Sequence, residues 1–204
     1  FSQVQESLLT ADPFSGLVCQ FDVRTYITAV TQRDKAKKLA AVMGYGSQGR
    51  AIALNLRDSG WNVVIGLRPR SKSRAKARRD RFADIRSIPE AVAKSPIVVM
   101  AIPDHEHRRV FDRDIRPSLS DRATLVFLHG LSIHFGLVKP PTSCRVLLIA
   151  PHAPGVALRE HYLRDRSVSA FLAVQSNRDR KAWKLASDIA HDIGIAAKRQ
   201  IKTT

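Results

Sequence analysis

Six consecutive residues, Gly44-Tyr45-Gly46-Ser47-Gln48-Gly49, have the types and spacing to hold a phosphate. They form a GxGxxG between an apolar run and an amphipathic one. In that setting the first glycine allows a tight turn out of a strand and the second lets the backbone approach a pyrophosphate. The third lets the next helix pack close, so that amides at its N-terminus point at the anion. The blander reading is a strand-to-helix turn with chance glycines, and flanks in the required order weigh against it. An NAD site would place Asp or Glu about twenty residues on, to hold the ribose hydroxyls. Arg68 stands there instead, followed by Pro69-Arg70-Ser71-Lys72-Ser73. Guanidinium, hydroxyl and ammonium donors suit a 2′-phosphate through charge-assisted hydrogen bonds, which favours NADP(H).

Three further segments each follow an apolar run: Pro103-Asp104 with His105, His129-Gly130, and Pro151-His152-Ala153-Pro154-Gly155. Ligands of open α/β sheets bind outside the carboxyl ends of the strands, which puts Asp104, His129 and His152 on the cofactor's side. A lone loop histidine is most often surface, and it is placement after a strand that marks these two. His107, His134, His161 and His191 lack it and read as surface or packing residues.

Those residues need a frame. Short apolar runs alternate with amphipathic segments from Lys37 onward, the pattern of repeated βαβ units and a parallel sheet. The spacing predicts strands over Leu39 to Met43, Asn62 to Leu67, Phe82 to Ile85, Ile97 to Ile102, Thr124 to Leu128, Val146 to Ala150 and Ser169 to Val174. Most are apolar throughout, as strands covered on both faces should be. Helices are expected over Ser47 to Arg57, after the capping box Ser87-Ile88-Pro89-Glu90, and over Arg178 to Ile193. Phe1 to Ala36 shows no sustained period and reads as an N-terminal arm, leaving residues 37–204 as the dinucleotide-binding domain.

With 44% hydrophobic residues and no run of eighteen apolar residues, the composition is globular and no membrane span is expected. Cys19 and Cys144 are too few for a disulfide framework and lack metal-ligand spacing, so a reducing, cytoplasmic setting fits. Charge is the abnormal quantity: 34 basic against 18 acidic residues gives +16. Arg68, Arg70, Lys72, Arg74, Lys76, Arg78, Arg79 and Arg81 face a single acid, Asp80, within one short stretch. A solvated helix face is the plain reading, and a polyanion bound there should compete with NADPH because the stretch overlaps the 2′-phosphate position. No aromatic residue interleaves it before Phe82, so sequence-specific nucleic-acid binding is not expected.

The ordered set Gly44 to Gly60, Val63 to Ser73, Ile102 to Asp104, His129 to Gly136, Ala150 to Gly155 and Ile201 to Thr204 resembles the N-terminal half of ketol-acid reductoisomerase, also called acetohydroxyacid isomeroreductase. The resemblance implies an α/β fold, a Rossmann-type doubly wound parallel sheet with helices on both faces. It implies an oxidoreductase of branched-chain amino acid synthesis, which rearranges a 2-acetohydroxy acid with Mg²⁺ and reduces the product with NADPH. By position, Gly44, Gly46, Ser47, Gln48 and Gly49, with Tyr45 among them, resemble the pyrophosphate loop. Arg68, Ser71 and Ser73 resemble the 2′-phosphate grip, His129 the active-site histidine, and Pro103, Asp104 and Gly155 are expected beside the cofactor.

Three departures stand out. His152 replaces the family's lysine, turning a permanent charge into one mostly absent at pH 7. The HGFNIHFG segment reads His129-Gly130-Leu131-Ser132-Ile133-His134-Phe135-Gly136, and the chain stops where the family's helical, metal-binding domain begins. No metal site is expected in this chain, Mg²⁺ only with that domain, and a 2-acetohydroxy acid or related keto acid as the small-molecule partner. A homo-oligomer is compatible with the reading. The rival readings are a stand-alone NADP-dependent reductase with its substrate over His129 and His152, and a nonenzymatic NADP(H)-sensing or nucleic-acid-binding protein that uses the basic stretch.

Overall fold

The computed structural model describes residues 38–175 and 179–203. The stretch from Phe1 to Ala36 lies outside the described residues, as do Arg178 and Thr204. In chain order the strands are β1 (Leu39–Met43), β2 (Asn62–Gly66), β3 (Ile85–Arg86), β4 (Ile97–Met100), β5 (Thr124–Phe127), β6 (Arg145–Pro151), β7 (Ala170–Val174) and β8 (Gln200–Lys202). The helices are α1 (Ser47–Asp58), α2 (Ser73–Arg79), α3 (Ile88–Lys94), α4 (Asp104–Val110), α5 (Leu131–His134), α6 (Gly155–Leu163) and α7 (Arg180–Asp192).

Alternation along the strands dictates the layers. In β1, Ala40 and Val42 enter one core while Ala41 and Met43 enter the other, and β4 repeats this with Ile97 and Val99 against Val98 and Met100. A strand apolar on both faces must be covered twice. Ile52 and Leu56 of α1, Leu158 of α6 and Ile189 of α7 close the first face, and Ile88 and Val92 of α3 with Val110 of α4 close the second.

The strands run in the order β3-β2-β1-β4-β5-β6-β7-β8, a doubly wound Rossmann-type sheet. The direction reverses between β1 and β4, so a crevice opens beyond their carboxyl ends. No helix among the described residues is long and apolar enough to cross a membrane.

Three features depart from the expected sheet. β7 is antiparallel to β6, because the connection through α6 brings the chain back to the end of β6 that it left, with Ala170 opposite Pro151. β3 spans only Ile85–Arg86 rather than Phe82 to Ile85: Phe82 donates its N–H to the Ala77 carbonyl to close α2 and buries its ring in the core. β8 adds a parallel edge on β7 from Gln-Ile-Lys, which has too little apolar character to announce itself.

Candidate functional site

The β1–α1 turn is shaped by glycines of two kinds. Gly44 has φ +96, and a Cβ there would lie 2.6 Å from the Ala101 carbonyl oxygen; one on Gly49 would lie 2.5 Å from the Gly44 carbonyl oxygen. The fold itself demands both. Gly46 has φ −77, and a Cβ on it would meet nothing within 4 Å. It is the N-cap of α1, no side chain caps that helix, and no acid stands in its first turn. The first-turn N–H groups are therefore left for solvent or an anion.

Beside this turn, at the sheet's switch point, is a cleft of about 150 Å³ whose lining includes Gly44, Tyr45, Arg68, Ser71, Ser73 and Pro103. That is below the roughly 300–1,000 Å³ of a drug-sized ligand site, so it has room for one end of a dinucleotide rather than the whole. Its apolar walls are Leu67, Ile88, Ile102 and Val110, and its polar end is a compact turn: the Ser71 N–H reaches the Arg68 carbonyl at 3.1 Å and the Ser73 N–H reaches Ser71 Oγ at 3.3 Å. Glu106, which no motif marked, also lines the cleft. A hydrogen bond from Arg109, with the nearby Arg68 charge adding to it, holds its carboxyl below the usual range.

The basic stretch is sorted by the fold. Arg74 turns inward and donates to the carbonyls of Leu67, Ile85 and Arg86 at 3.1–3.3 Å. Asp80 accepts both arms of Arg50 at 2.6 and 2.8 Å, and the Tyr45 hydroxyl at 2.8 Å. The Tyr45 ring is buried edge-on to Phe82, and burial with the Asp80 contact pushes its phenol far up. Tyr45 therefore has only its backbone to offer a ligand.

Beyond β4 and β5, Asp104 and His129 come together, His129 Nδ1 lying 3.7 Å from Asp104 Oδ2 and accepting the Leu131 N–H at 3.3 Å. His129 is 65% exposed, so its other nitrogen is open to a ligand. His107 carried no flag in the sequence beyond its place three residues after Asp104, yet it ties the two segments together. Its Nε2 lies 3.0 Å from the Ile102 carbonyl and its Nδ1 2.8 Å from Ser132 Oγ. A carbonyl only accepts, so Nε2 carries the proton and Nδ1 accepts from the serine. Burial holds His107 below the ordinary histidine range.

His152 is exposed, its ring edge-on to Phe171 at 4.3 Å and its backbone N–H donating to the Ser169 carbonyl. Gln48 and Gly155, expected beside the cofactor, are used differently by the fold. Gln48 Nε2 donates to the Ala153 carbonyl at 2.8 Å, and a Cβ on Gly155 would lie 2.2 Å from the Ser47 carbonyl oxygen. Both hold the start of α6 against the start of α1. Among the described residues no group of three or more His, Cys, Asp or Glu is placed to hold a metal ion.

Comparison with known proteins finds that residues 35–199 match the family model described as acetohydroxy acid isomeroreductase, NADPH-binding domain. Ketol-acid reductoisomerase (NADP(+)) of Pyrobaculum arsenaticum is 46% identical over 167 residues, which is 82% of this chain and 51% of that protein. Ketol-acid reductoisomerase (NADP(+)) 2 of Bifidobacterium longum is 41% identical, over 82% of this chain and 47% of its own. The chain thus spans about half the length of the curated relatives it matches. Among solved structures, an NADH-preferring ketol-acid reductoisomerase from an uncultured archean matches with a TM-score of 0.78 and 34% identity, over 84% of this chain and 53% of that one. A semialdehyde dehydrogenase NAD-binding protein from Cupriavidus necator, at 20% identity and a TM-score of 0.68, shares the fold.

Proposed function

Because the chain belongs to the acetohydroxy acid isomeroreductase family and carries its NADPH-binding domain, we propose a seat for each part of the cofactor. The pyrophosphate lies over Gly46 and the free amides of the first α1 turn. The adenine enters the apolar cleft between Leu67, Ile88, Ile102 and Val110, and the 2′-phosphate meets Arg68, Ser71 and Ser73. The observation that carries this reading is the convergence of Arg68 and both serines on the cleft that Gly44 also lines. One similar solved structure is of an NADH-preferring enzyme, so nucleotide choice rests on these side chains rather than on the family alone.

The nicotinamide then extends toward the carboxyl ends of β4 to β6, past Pro103 and Asp104 to His129. With Nδ1 occupied by the Leu131 amide, His129 presents Nε2–H to an oxygen of the substrate, read here as a 2-acetohydroxy acid or the keto acid derived from it. The Leu131 amide orients His129, and His107 fixes the segment that carries this amide through its bond to Ser132, with Asp104 lying beside the ring. Bound NADPH supplies the hydride for ketone reduction. The donors that would hold Mg²⁺ do not occur as a cluster among the described residues.

Calorimetric titration of the chain with NADPH and NADH tests the seat. NADPH should bind the more tightly, and Arg68→Asp should weaken it by about 2 kcal/mol, the scale of a lost charge-assisted bond and roughly thirtyfold in Kd. Equal affinity for the two nucleotides would remove the 2′-phosphate assignment.

A further inference from the structure

Helix α2 ends in a turn that glycine normally makes. The Phe82 N–H bonds to the Ala77 carbonyl at 3.1 Å and the Arg81 N–H to the Arg78 carbonyl at 2.9 Å, the paired bonds of a Schellman motif. The residue that must take the left-handed backbone is Arg81, at φ +65. A bulky residue held there is strained, and such an outlier points to a use for its side chain.

Arg81 lies on an open groove between α1, the end of α2 and α6, where Arg50, Arg57, Arg79 and Arg159 also stand around Asp80. Carboxylates answer three of these guanidiniums: Arg50 pairs with Asp80, and Arg57 and Arg159 pair with Asp58. Arg79 and Arg81 are exposed and, among the described residues, have no hydrogen-bonding or ionic partner for their side chains. The groove therefore keeps a surplus of positive charge. It shares no basic side chain with the cofactor cleft, whose cation is Arg68.

We propose that this groove is a second anion site, which takes the phosphate run of a single-stranded nucleic acid, by charge alone and independently of NADPH. Guanidinium forks match phosphate oxygens two at a time, and several of them along an open groove suit a chain of charges better than a single ion. Of the aromatic rings beside these guanidiniums, Phe82 is buried with Arg57 lying 5.0 Å over it, and Tyr162 has Arg159 lying 5.4 Å over it, so the arginines already cover the faces a base would stack on. The basic stretch is thus divided, with Arg68 on the cleft, Arg74 turned inward, and Arg79 and Arg81 on the groove. Where the sequence led us to expect competition with NADPH, the proposal expects independent binding.

The test is a salt series with two fluorescent single strands of unrelated sequence, each about twelve nucleotides long, on the 204-residue chain with NADPH saturating. Both strands should bind alike, log K should fall linearly with log salt, and inorganic polyphosphate should displace them. Arg79→Gln with Arg81→Gly should reduce the slope by about 1.4, at ~0.7 per phosphate contact. Glycine relaxes the strained turn, so loss of fold cannot mimic the result. Lys198→Gln with Arg199→Gln removes the same charge at the opposite edge of the sheet, beside β8, and should leave the slope unchanged. Displacement by NADPH, preference for one strand, strands that polyphosphate cannot displace, absence of binding, or an equal fall in both double variants would each overturn the proposal.

Discussion

Gly46→Ala separates folding from binding more cleanly than any other change in the glycine loop. Gly44 and Gly49 cannot accept a Cβ without moving backbone, since each would bring it within 2.6 Å of a carbonyl oxygen. At Gly46 the added methyl meets nothing within 4 Å, and φ −77 is ordinary for an L-residue. Two small effects on stability oppose each other. Replacing glycine lowers the entropy of the unfolded chain and stabilises by about 0.4–1 kcal/mol. Alanine is a poorer N-cap than glycine by a comparable amount. The net change should lie within about 0.5 kcal/mol, the range of ordinary surface substitutions. Binding has no such compensation, because on the proposed seat the methyl would occupy the space through which the pyrophosphate approaches. Losing one hydrogen bond to a charged group costs about 1.5–3 kcal/mol, or roughly 10- to 150-fold in Kd. Calorimetric titration with NADPH and thermal unfolding of the apo chain give the two readouts. An unchanged Kd in a folded Gly46→Ala protein would refute the placement of the pyrophosphate. A fall in Tm of many degrees would refute the openness of the site.

The reciprocal change is Gly155→Ala, where the Cβ would lie 2.2 Å from the Ser47 carbonyl oxygen; it should destabilise by about 1–3 kcal/mol through overpacking, and an unchanged denaturant midpoint would show that α1 and α6 separate freely. Asp80 is held below the usual carboxylate range, chiefly by the Arg50 hydrogen bond. Its contribution to stability is therefore present above the unfolded value near pH 4 and lost as pH falls through the lower folded value, so Asp80→Asn should flatten the acid limb of a urea-midpoint series. His107 is held low by burial, so below about pH 6.5 the unfolded chain takes the proton first and stability drops as pH falls; His107→Gln should remove that slope, and a slope that survives would assign it to another histidine.

The sheet was legible because its strands are apolar on both faces: Ala40 to Met43 and Ile97 to Met100 leave no residue for solvent. The tight turn at Gly44 and Gly49 and the basic lining that Arg68 gives the cleft were legible for a related reason, since backbone geometry and charge are local properties. What escaped depends on partners far apart in sequence. Nothing in the neighbourhood of His107 announces Ser132, and nothing beside Gly155 announces its close packing on Ser47. Tyr45 sits inside the cofactor motif, yet its ring is claimed by Asp80, thirty-five residues away. Local charge also misled at Arg74, whose guanidinium satisfies three backbone carbonyls instead of facing solvent.

The central position of β1 sets an order of events during folding. It pairs with β2 on one side and β4 on the other, and β4 is not available until α1, β2, α2, β3 and α3 have all been made. Closing so long a loop adds little to the equilibrium cost, because loop entropy grows only logarithmically, but pairing across it is slow. Until β4 arrives, the amides and carbonyls on one edge of an entirely apolar strand stay open, the kind of edge that templates association between chains. Helix α1 follows β1 directly and can shield one of its faces early. Pulse-labelled hydrogen exchange should therefore protect the α1 amides and the β1–β2 ladder before the β1–β4 ladder, and crowding of nascent chains should be most damaging in that interval.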